Sequence, residues 1–269
     1  MSLTRLVMRL ACVQALKGQT LAGTRVFDSA VAPLDLVVEE HRQPLIVVTT
    51  DEHEADITGR DLLSGTQICD LVIEIAIAAA SSVSSSNDAG EAITIEIPHT
   101  DEGMELTLDM LEHQCVAALI RDNTPWATIW MNLVPRVTRR LSRRGASSDH
   151  GLRFAARQIV LTCDLVDTPT RTADLSDSSA WGQALAAMDS DVVLQPIAHM
   201  LRAEIDGGGL AAWQIIAQSL GLTDVGVRNI GLEPALDENG DSVPLDAVLI
   251  DEGGSTTTID AASSDEQGV

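Results

Sequence analysis

Aromatic residues are almost absent from this sequence of 269 residues. Phe, Trp and Tyr together make up 2% of the chain and Tyr does not occur, whereas hydrophobic residues make up 45%. An apolar fraction of this size is typical of a folded protein and excludes a wholly disordered one. The core must therefore be built mainly from Leu, Ile, Val and Ala.

Positive charge is also scarce. Forty acidic residues face seventeen basic ones, which gives a net charge of −23 and a field that repels nucleic acid and anionic lipid surfaces. Lys17 is the only lysine, and the remaining cations are arginines, which favour bidentate ion pairs at interfaces. A GC-rich genome or a salt-adapted host would produce the same bias, so these explanations stay open beside an interface.

Catalytic and targeting signatures are missing as well. The sequence contains no GxxxxGK[ST], GxGxxG, GxSxG or HExxH motif, and the N-terminus is interrupted by Arg5 and Arg9 where a signal peptide needs an apolar core. The most apolar later run, 71–83, is too short to span a bilayer. We therefore expect a soluble protein made in a cytoplasm, with no cofactor and no metal.

The four cysteines are far apart and form no CxxC pair, which excludes the common zinc and thioredoxin patterns. We predict that they are small buried hydrophobic residues. They are Cys12, Cys69, Cys115 and Cys163.

Residues 1–169 show the pattern of an α+β domain, in which a mostly antiparallel sheet is packed with helices. The pattern predicts a helix from Leu3 to Gly18, strands at 24–29, 44–50, 68–80 and 154–166, a short strand or an extended lead-in at 93–98, and a helix capped by Thr100. Residues 81–90 are predicted to be a Ser-rich break, and 126–141 to be either helix or strand. The buried stripe of the central helix should be Met104, Leu108, Leu111, Cys115 and Leu119.

The character of the sequence changes after residue 169. Residues 170–250 are predicted to form an extension with short helices at 178–188, 195–205 and 210–220, and two strands, 225–232 and 243–250, paired around Asn239 and Gly240. Residues 251–269 contain five acids and no cation, so we expect a disordered tail or one that lies along a partner.

An acidic segment, predicted to be a loop, follows the strand at 44–50. Its carboxylates and His53 could hold a divalent ion that activates water, which is the one hint of a small metal-dependent hydrolase. Acidic loops at strand ends are also common in a protein of this charge. The acidic residues are Asp51, Glu52, Glu54 and Asp56.

A basic cluster is the most informative feature. Seven arginines lie within residues 136–157 with one acid, which gives this segment +6 and leaves −29 for the rest of a chain of net charge −23. Such polarity favours self-association of a basic arm with an acidic neighbour. DNA contact is weakened by the absence of nearby stacking aromatics, and a solvated loop is the remaining alternative. The arginines are Arg136, Arg139, Arg140, Arg143, Arg144, Arg153 and Arg157.

The order of these elements resembles the tail terminator (tail completion) proteins of tailed phages over about residues 1–169. The resemblance is carried by 24–29 (TRVFDS), 44–52 (PLIVVTTDE), 70–77 (DLVIEIAI), 97–114 (IPHTDEGMELTLDMLEHQ) and 153–166 (RFAARQIVLTCDLV). It implies an α+β subunit of a hexameric ring that caps the tail tube and joins it to the head connector.

The resemblance also implies partners and a location. They are the tail tube protein, a head–tail connector or stopper, and a sheath or collar protein, in a virion assembled in a bacterial cytoplasm, with DNA passing through the lumen without sequence-specific binding. The acidic segment and the arginine cluster would lie at subunit or tube contacts. A head–tail adaptor or stopper is the structural alternative, and the metal-dependent hydrolase is the enzymatic one.

Overall fold

The structure, a computed structural model, describes most of the chain in segments. The described residues are 2–29, 44–57, 65–78, 82–86, 92–96, 100–121, 124–147, 154–169, 175–206, 217, 221–230, 247–251 and 256–260. They divide between two compact units, 1–210 and 211–269. Among these residues no helix has the length and apolar character that crossing a bilayer requires.

Five of the described strands form the main sheet: β1 (Val26–Asp28), β2 (Leu45–Asp56), β3 (Thr66–Ala78), β6 (Arg136–Ser147) and β7 (Phe154–Leu165). Their order in the sheet is β1-β2-β3-β7-β6. β1 is parallel to β2, and every other neighbouring pair is antiparallel. The predicted α+β class, a mostly antiparallel sheet packed with helices, is confirmed.

Beside this sheet, the described residues of the first unit form five helices. They are α1 (Leu3–Leu16), α2 (Asp101–Ile120), α3 (Pro125–Leu133), α4 (Ala180–Asp189) and α5 (Gln195–Ile205). The segment 126–141, left open between helix and strand, contains both, since α3 ends at Leu133 and β6 begins at Arg136. The helices predicted at 178–188 and 195–205 are confirmed as α4 and α5, and α4 packs on α3.

One face of the sheet packs against the helices. Leu71, Ile73, Ile75 and Ile77 of β3 point to this face and are fully buried, as their shared parity predicts. The predicted stripe of α2 is buried on the same side, and the hydroxyl of Thr100 accepts the Gly103 N–H at 3.1 Å as the predicted cap. In α1 the core contains Val7, Met8, Leu10, Ala11 and Cys12.

Several predictions for the remaining segments are wrong. The Ser-rich break at 81–90 contains a strand, β4 (Ser82–Ser86), which pairs with β5 (Ala92–Glu96). In the second unit the strand predicted at 225–232 is a helix, α6 (Asp224–Asn229), in which Gly226 donates its N–H to the hydroxyl of Thr223. The helix predicted at 210–220 lies outside the described residues except for Ala217.

The C-terminal hairpin also differs from the prediction. β8 (Ala247–Asp251) pairs with β9 (Thr256–Asp260), whereas the described part of the predicted partner, 225–232, contains the helix α6. The acidic tail thus contains a strand, where the prediction was disorder or a segment lying along a partner. Thr256 to Thr258 are β-branched, which favours an extended backbone in spite of the low hydrophobicity.

Candidate functional site

The described part of the basic cluster lies on two paired strands of the sheet and is not a free arm or loop. β6 is an edge strand that pairs only with β7 among the described residues, and the two strands carry every described arginine of the cluster. Arg153 lies outside the described residues. The cluster is therefore rigidly placed along one side of the main sheet.

Two of these arginines bind acidic groups of α2. Arg157 donates hydrogen bonds to Glu105 at 2.6 Å and Glu112 at 3.1 Å and also pairs with Asp109, while Nε of Arg144 lies 2.6 Å from Oε1 of Glu105. Burial alone would lower the pKa of Arg157, but the hydrogen bonds with Glu112 and Asp109 outweigh it and raise that pKa. These two arginines hold α2 against the sheet, so their predicted role at a subunit contact receives no support from this geometry.

Arg136 is also engaged within the chain. Its Nε donates to Oδ2 of Asp164 in the neighbouring strand at 2.7 Å, although most of its side chain remains exposed. Asp164, by contrast, is only 14% exposed, so Arg136 keeps a part-buried carboxylate paired. Arg136 is therefore engaged within the chain and is less available to another molecule than the arginines without a partner.

Three arginines remain free. Arg139, Arg140 and Arg143 are exposed, and none of them has an ion-pair partner within the part of the chain that the structure describes. Arg140 pairs in register with Leu161 of the core and lies on the helix side, beside α2. Arg139 and Arg143 alternate with it and face away from the helices. The edge strand thus presents uncompensated positive charge on both of its faces.

The acidic segment predicted to be a loop is the outer half of β2. The strand continues to Asp56, with a bulge between Thr50 and His53, because Thr66 to Cys69 of β3 pair with it. An edge segment with solvent on both faces needs no apolar alternation, and this explains why its sequence suggests a loop. All four acidic side chains, those of Asp51, Glu52, Glu54 and Asp56, are exposed.

This half of β2 forms the edge of the sheet opposite β6. β1 pairs only with Ile46, Val47 and Val48, so no described strand lies beside the acidic half. His53 reaches Gln67, with 3.4 Å between Nε2 and Oε1. Among the described residues, no three His, Cys, Asp or Glu side chains converge in a way that could hold a metal ion. The carboxylates alternate along an extended strand, and this geometry gives the hydrolase interpretation no support.

The acidic and basic edges lie at the same level of the sheet. Arg136 in β6 pairs with Asp164 in β7, which pairs with Ile68 in β3. Ile68 in turn pairs with Glu54 in β2, so one row of the sheet runs from an arginine at one edge to a glutamate at the other. Sequence reasoning identified both charged segments but not this alignment, because it depends on three successive long-range strand pairings.

A groove of about 410 Å³ runs between α2 and β6, and sequence reasoning missed it. Ile120 of α2 lines this groove, and Leu106, Met110 and Ile120 are 65%, 49% and 64% exposed. At 100° per residue these three side chains share one face of the helix, which is a second apolar stripe opposite the buried one. The helical spacing of these three residues in the sequence indicates this second stripe. The groove is lined by Asp109, Glu112, His113, Val116, Ala117, Ile120, Arg121 and Arg140.

The four cysteines are buried and free, as predicted. Cys69 and Cys163 are cross-strand partners under the helices. Burial raises the pKa of Cys69 to about 11 and those of Cys115 and Cys163 to about 12, and it also raises the pKa of Cys12. Protonated, enclosed thiols are poor nucleophiles, so this geometry favours a packing role.

No protein-family model matches the chain, and a search of curated proteins finds no significant relative.

Proposed function

We propose that this chain is a structural subunit of a phage-like tail or neck, which forms a ring that caps the tail tube and joins it to the head connector. The observation that carries the proposal is the separation of charge on the main sheet. Free arginines line one open edge and exposed carboxylates line the other. A surface of this kind is complementary to a second copy of itself in one arrangement only.

The arrangement that these edges favour is head to tail. A two-fold dimer would place the arginines of β6 against the same arginines, or the acids of β2 against the same acids. Contact between unlike edges is heterologous, and a heterologous contact gives a closed ring when its rotation closes. The charge pattern therefore favours a ring over an isolated dimer.

Charges and bulges also protect open sheet edges from random pairing. Both edges carry a bulge, between Val137 and Arg139 in β6 and between Thr50 and His53 in β2. This protection is selective, because each edge repels an edge of the same charge and attracts an edge of the opposite charge. An interface and a guarded edge are thus compatible in the same strands.

The remaining parts of the proposal rest on the resemblance of residues 1–169 to tail terminators. They are a hexamer, contacts with the tail tube protein and with a head–tail connector or stopper, a sheath or collar contact, and a place in the virion. The net charge of −23 supports passage of DNA through the lumen without sequence-specific binding.

The proposal is tested by native mass spectrometry and negative-stain imaging of the purified chain, alone and with assembled tail tubes. We expect six-membered rings with an open lumen. In the variant with Arg139→Ser, Arg140→Ser and Arg143→Ser, rings should be lost while the far-UV circular dichroism spectrum is unchanged, since these side chains have no described partner within the chain.

The matched control changes the same three positions to Lys, which keeps the charge and should retain most of the rings. Twelvefold rings that bind a portal would favour a head–tail adaptor instead. A wild-type chain that remains monomeric even with tube ends present would contradict the proposal.

A further inference from the structure

We infer that the ring is closed by strand pairing, in which β6 of one copy lies antiparallel to the outer half of β2 of the next copy and the sheet continues from subunit to subunit. This inference rests on the proposed function and adds which backbone segments touch, in which direction and in which register. The partner is a second copy of this chain.

Both strands have a free side. β6 is 12 residues long, and no described strand pairs with it on the side away from β7. On the other edge β1 is only three residues long and reaches no further along β2 than Val48. Alternate N–H and C=O groups of both segments therefore point outward, which is the template for adding a strand.

The direction of pairing follows from the topology. β2, β3, β7 and β6 are each antiparallel to the next, so β2 and β6 of one subunit run in opposite directions. A copy rotated about an axis along the strands keeps the direction of its own β2. It therefore presents β2 antiparallel to the β6 that it meets, which is the more stable pairing per residue.

The register brings opposite charges together. Arg139 pairs with Thr162, and Thr162 pairs with Asp70, which lies opposite the bulge that holds Asp51 and Glu52. A neighbour at the same height therefore sets its Asp51 and Glu52 beside Arg139. Cross-strand pairs of opposite charge are favourable, and a slip along the strand would separate them.

The acidic and basic side chains also lie on the same face of the sheet. Arg139 shares a face with Thr162, whose hydroxyl donates to Asp70 at 2.7 Å on the side away from the helices. Glu54 lies on that side too, since it pairs with Ile68 next to the core-facing Cys69. In a continuous ring every copy has its helices on the same side of the sheet, so these acidic and basic side chains meet on one common surface.

Apolar area is available beside this contact. Exposed ion pairs stabilise by only about 0.2–1 kcal/mol each, so charge alone does not hold a ring together. The groove between α2 and β6 includes Arg140 in its lining, and Ile120 lies at its rim. A copy paired with β6 comes to lie over this flank and removes its apolar surface from water.

A pair of engineered cysteines tests the inference directly. In the double variant Arg139→Cys with Glu52→Cys, two thiols of adjacent copies should be oxidised to one disulfide, with oxidised glutathione reduced to two molecules of glutathione. We expect a ladder of covalent oligomers up to the ring size on a non-reducing gel. The two positions lie on opposite edges of one subunit, so they cannot pair within it.

Three controls fix the interpretation. Either single variant should give no ladder, and dimers from Arg139→Cys alone would show β6-to-β6 pairing and overturn the inference. The pair Arg143→Cys with Glu54→Cys is out of register, because Arg143 is level with Val47 through Gln158 and Glu74. It should give no ladder either. The native thiols are buried and contribute no background.

A charge exchange tests the same contact without new thiols. Arg139→Asp and Glu52→Arg should each raise the dissociation constant about tenfold or more, and the double variant should recover most of the loss, as coupled pairs do. Rings that persist on native mass spectrometry without a ladder and without this recovery would overturn the strand pairing but not the proposed function. Absence of any oligomer of the wild-type chain, even with tube ends present, would instead remove the proposed function itself.

Discussion

Arg157 has three carboxylates around it, from Glu105, Asp109 and Glu112 of α2, and only 14% of its side chain is exposed. Without the guanidinium these carboxylates would face one another at helical spacings of three and four residues, where like charges repel. The cost is that of leaving partly buried charges unpaired.

We therefore predict that Arg157→Met lowers the free energy of unfolding by about 2–4 kcal/mol, measured by urea denaturation. Arg143→Met, an exposed arginine without a described partner, is the matched control and should change it by less than about 0.5 kcal/mol. Equal losses in the two variants would show that α2 does not depend on this ion-pair network.

The buried thiols predict an alkaline limit to stability. The pKa values of Cys69, Cys115 and Cys163 are raised to about 11, about 12 and about 12, whereas an unfolded thiol ionises from about pH 8.5. The unfolded state therefore binds fewer protons than the folded state above that pH. Stability is fully present below the unfolded pKa and is lost as the pH rises toward the folded values.

We expect the free energy of unfolding to fall by about 1.4 kcal/mol per pH unit for each thiol that stays protonated, between about pH 9 and 11. Few other side chains titrate in this pH range, because Tyr does not occur and Lys17 is the only lysine. Denaturant titrations at several pH values measure the slope, and Cys115→Ala should reduce it by one thiol. A flat profile would contradict the burial of the thiols.

At the scale of the element, the two opposite faces of α2 have different roles. One stripe is buried against the sheet, and the opposite one presents Leu106, Met110 and Ile120 to solvent, with Ile120 in the lining of the groove that also contains Arg140 of β6. If neighbouring copies cover this flank, Ile120→Lys should weaken self-association by about tenfold through a buried charge, without loss of helix content. Sedimentation velocity measures the association.

Met200→Lys is the control for this prediction. Met200 is 68% exposed on α5, a helix that packs on α4 and has no substantial contact with β6. Its substitution should leave association unchanged. If both variants assemble like the wild type, the flank of α2 is not part of the contact.

The elements that sequence reasoning found are those with an apolar period. β3, β7 and the buried stripe of α2 could be predicted because one of their faces must avoid water. The sequence predicts a loop for the outer half of β2 and favours an arm for β6, since both are edge segments exposed to solvent on two faces. It predicts a strand at α6 because Val225 and Val227 are β-branched, but the cap at Thr223 favours a helix.

The candidate site could likewise be predicted only in part. The charged segments were identified by composition, but their placement on opposite edges at one height follows from the pairing of β2 with β3, β3 with β7 and β7 with β6. Each of those pairings joins residues that are distant in the sequence. The intramolecular partners of Arg136, Arg144 and Arg157 depend on the same contacts, so no local pattern separates them from the free arginines.

At the scale of the whole molecule, a net charge of −23 opposes the attraction between the two edges. The screening length is about 30 Å at 0.01 M salt, about 8 Å at 0.15 M and about 3 Å at 1 M. Repulsion between whole subunits acts over the longer distances, whereas the edge contacts act at the shorter ones. We therefore expect association to be weak at low salt, strongest near 0.15 M and weaker again at 1 M.

Sedimentation velocity at the three salt concentrations measures this profile. In the variant with Ser at 139, 140 and 143 the maximum should disappear. Association of the wild-type chain that rises steadily to 1 M salt would mean that apolar contacts dominate and that the charged edges only guide the encounter.

The four neighbouring strands β2, β3, β7 and β6 also determine the circumference of the proposed ring. Neighbouring strands lie about 4.8 Å apart, so four strands from each copy of the proposed six-membered ring would give a wall with a circumference of about 115 Å. The corresponding diameter is about 37 Å before strand tilt widens it, and side chains on the inner face reduce the opening by about 10 Å. In the proposed six-membered ring this wall is wide enough to surround a DNA duplex, which a protein of net charge −23 would not hold.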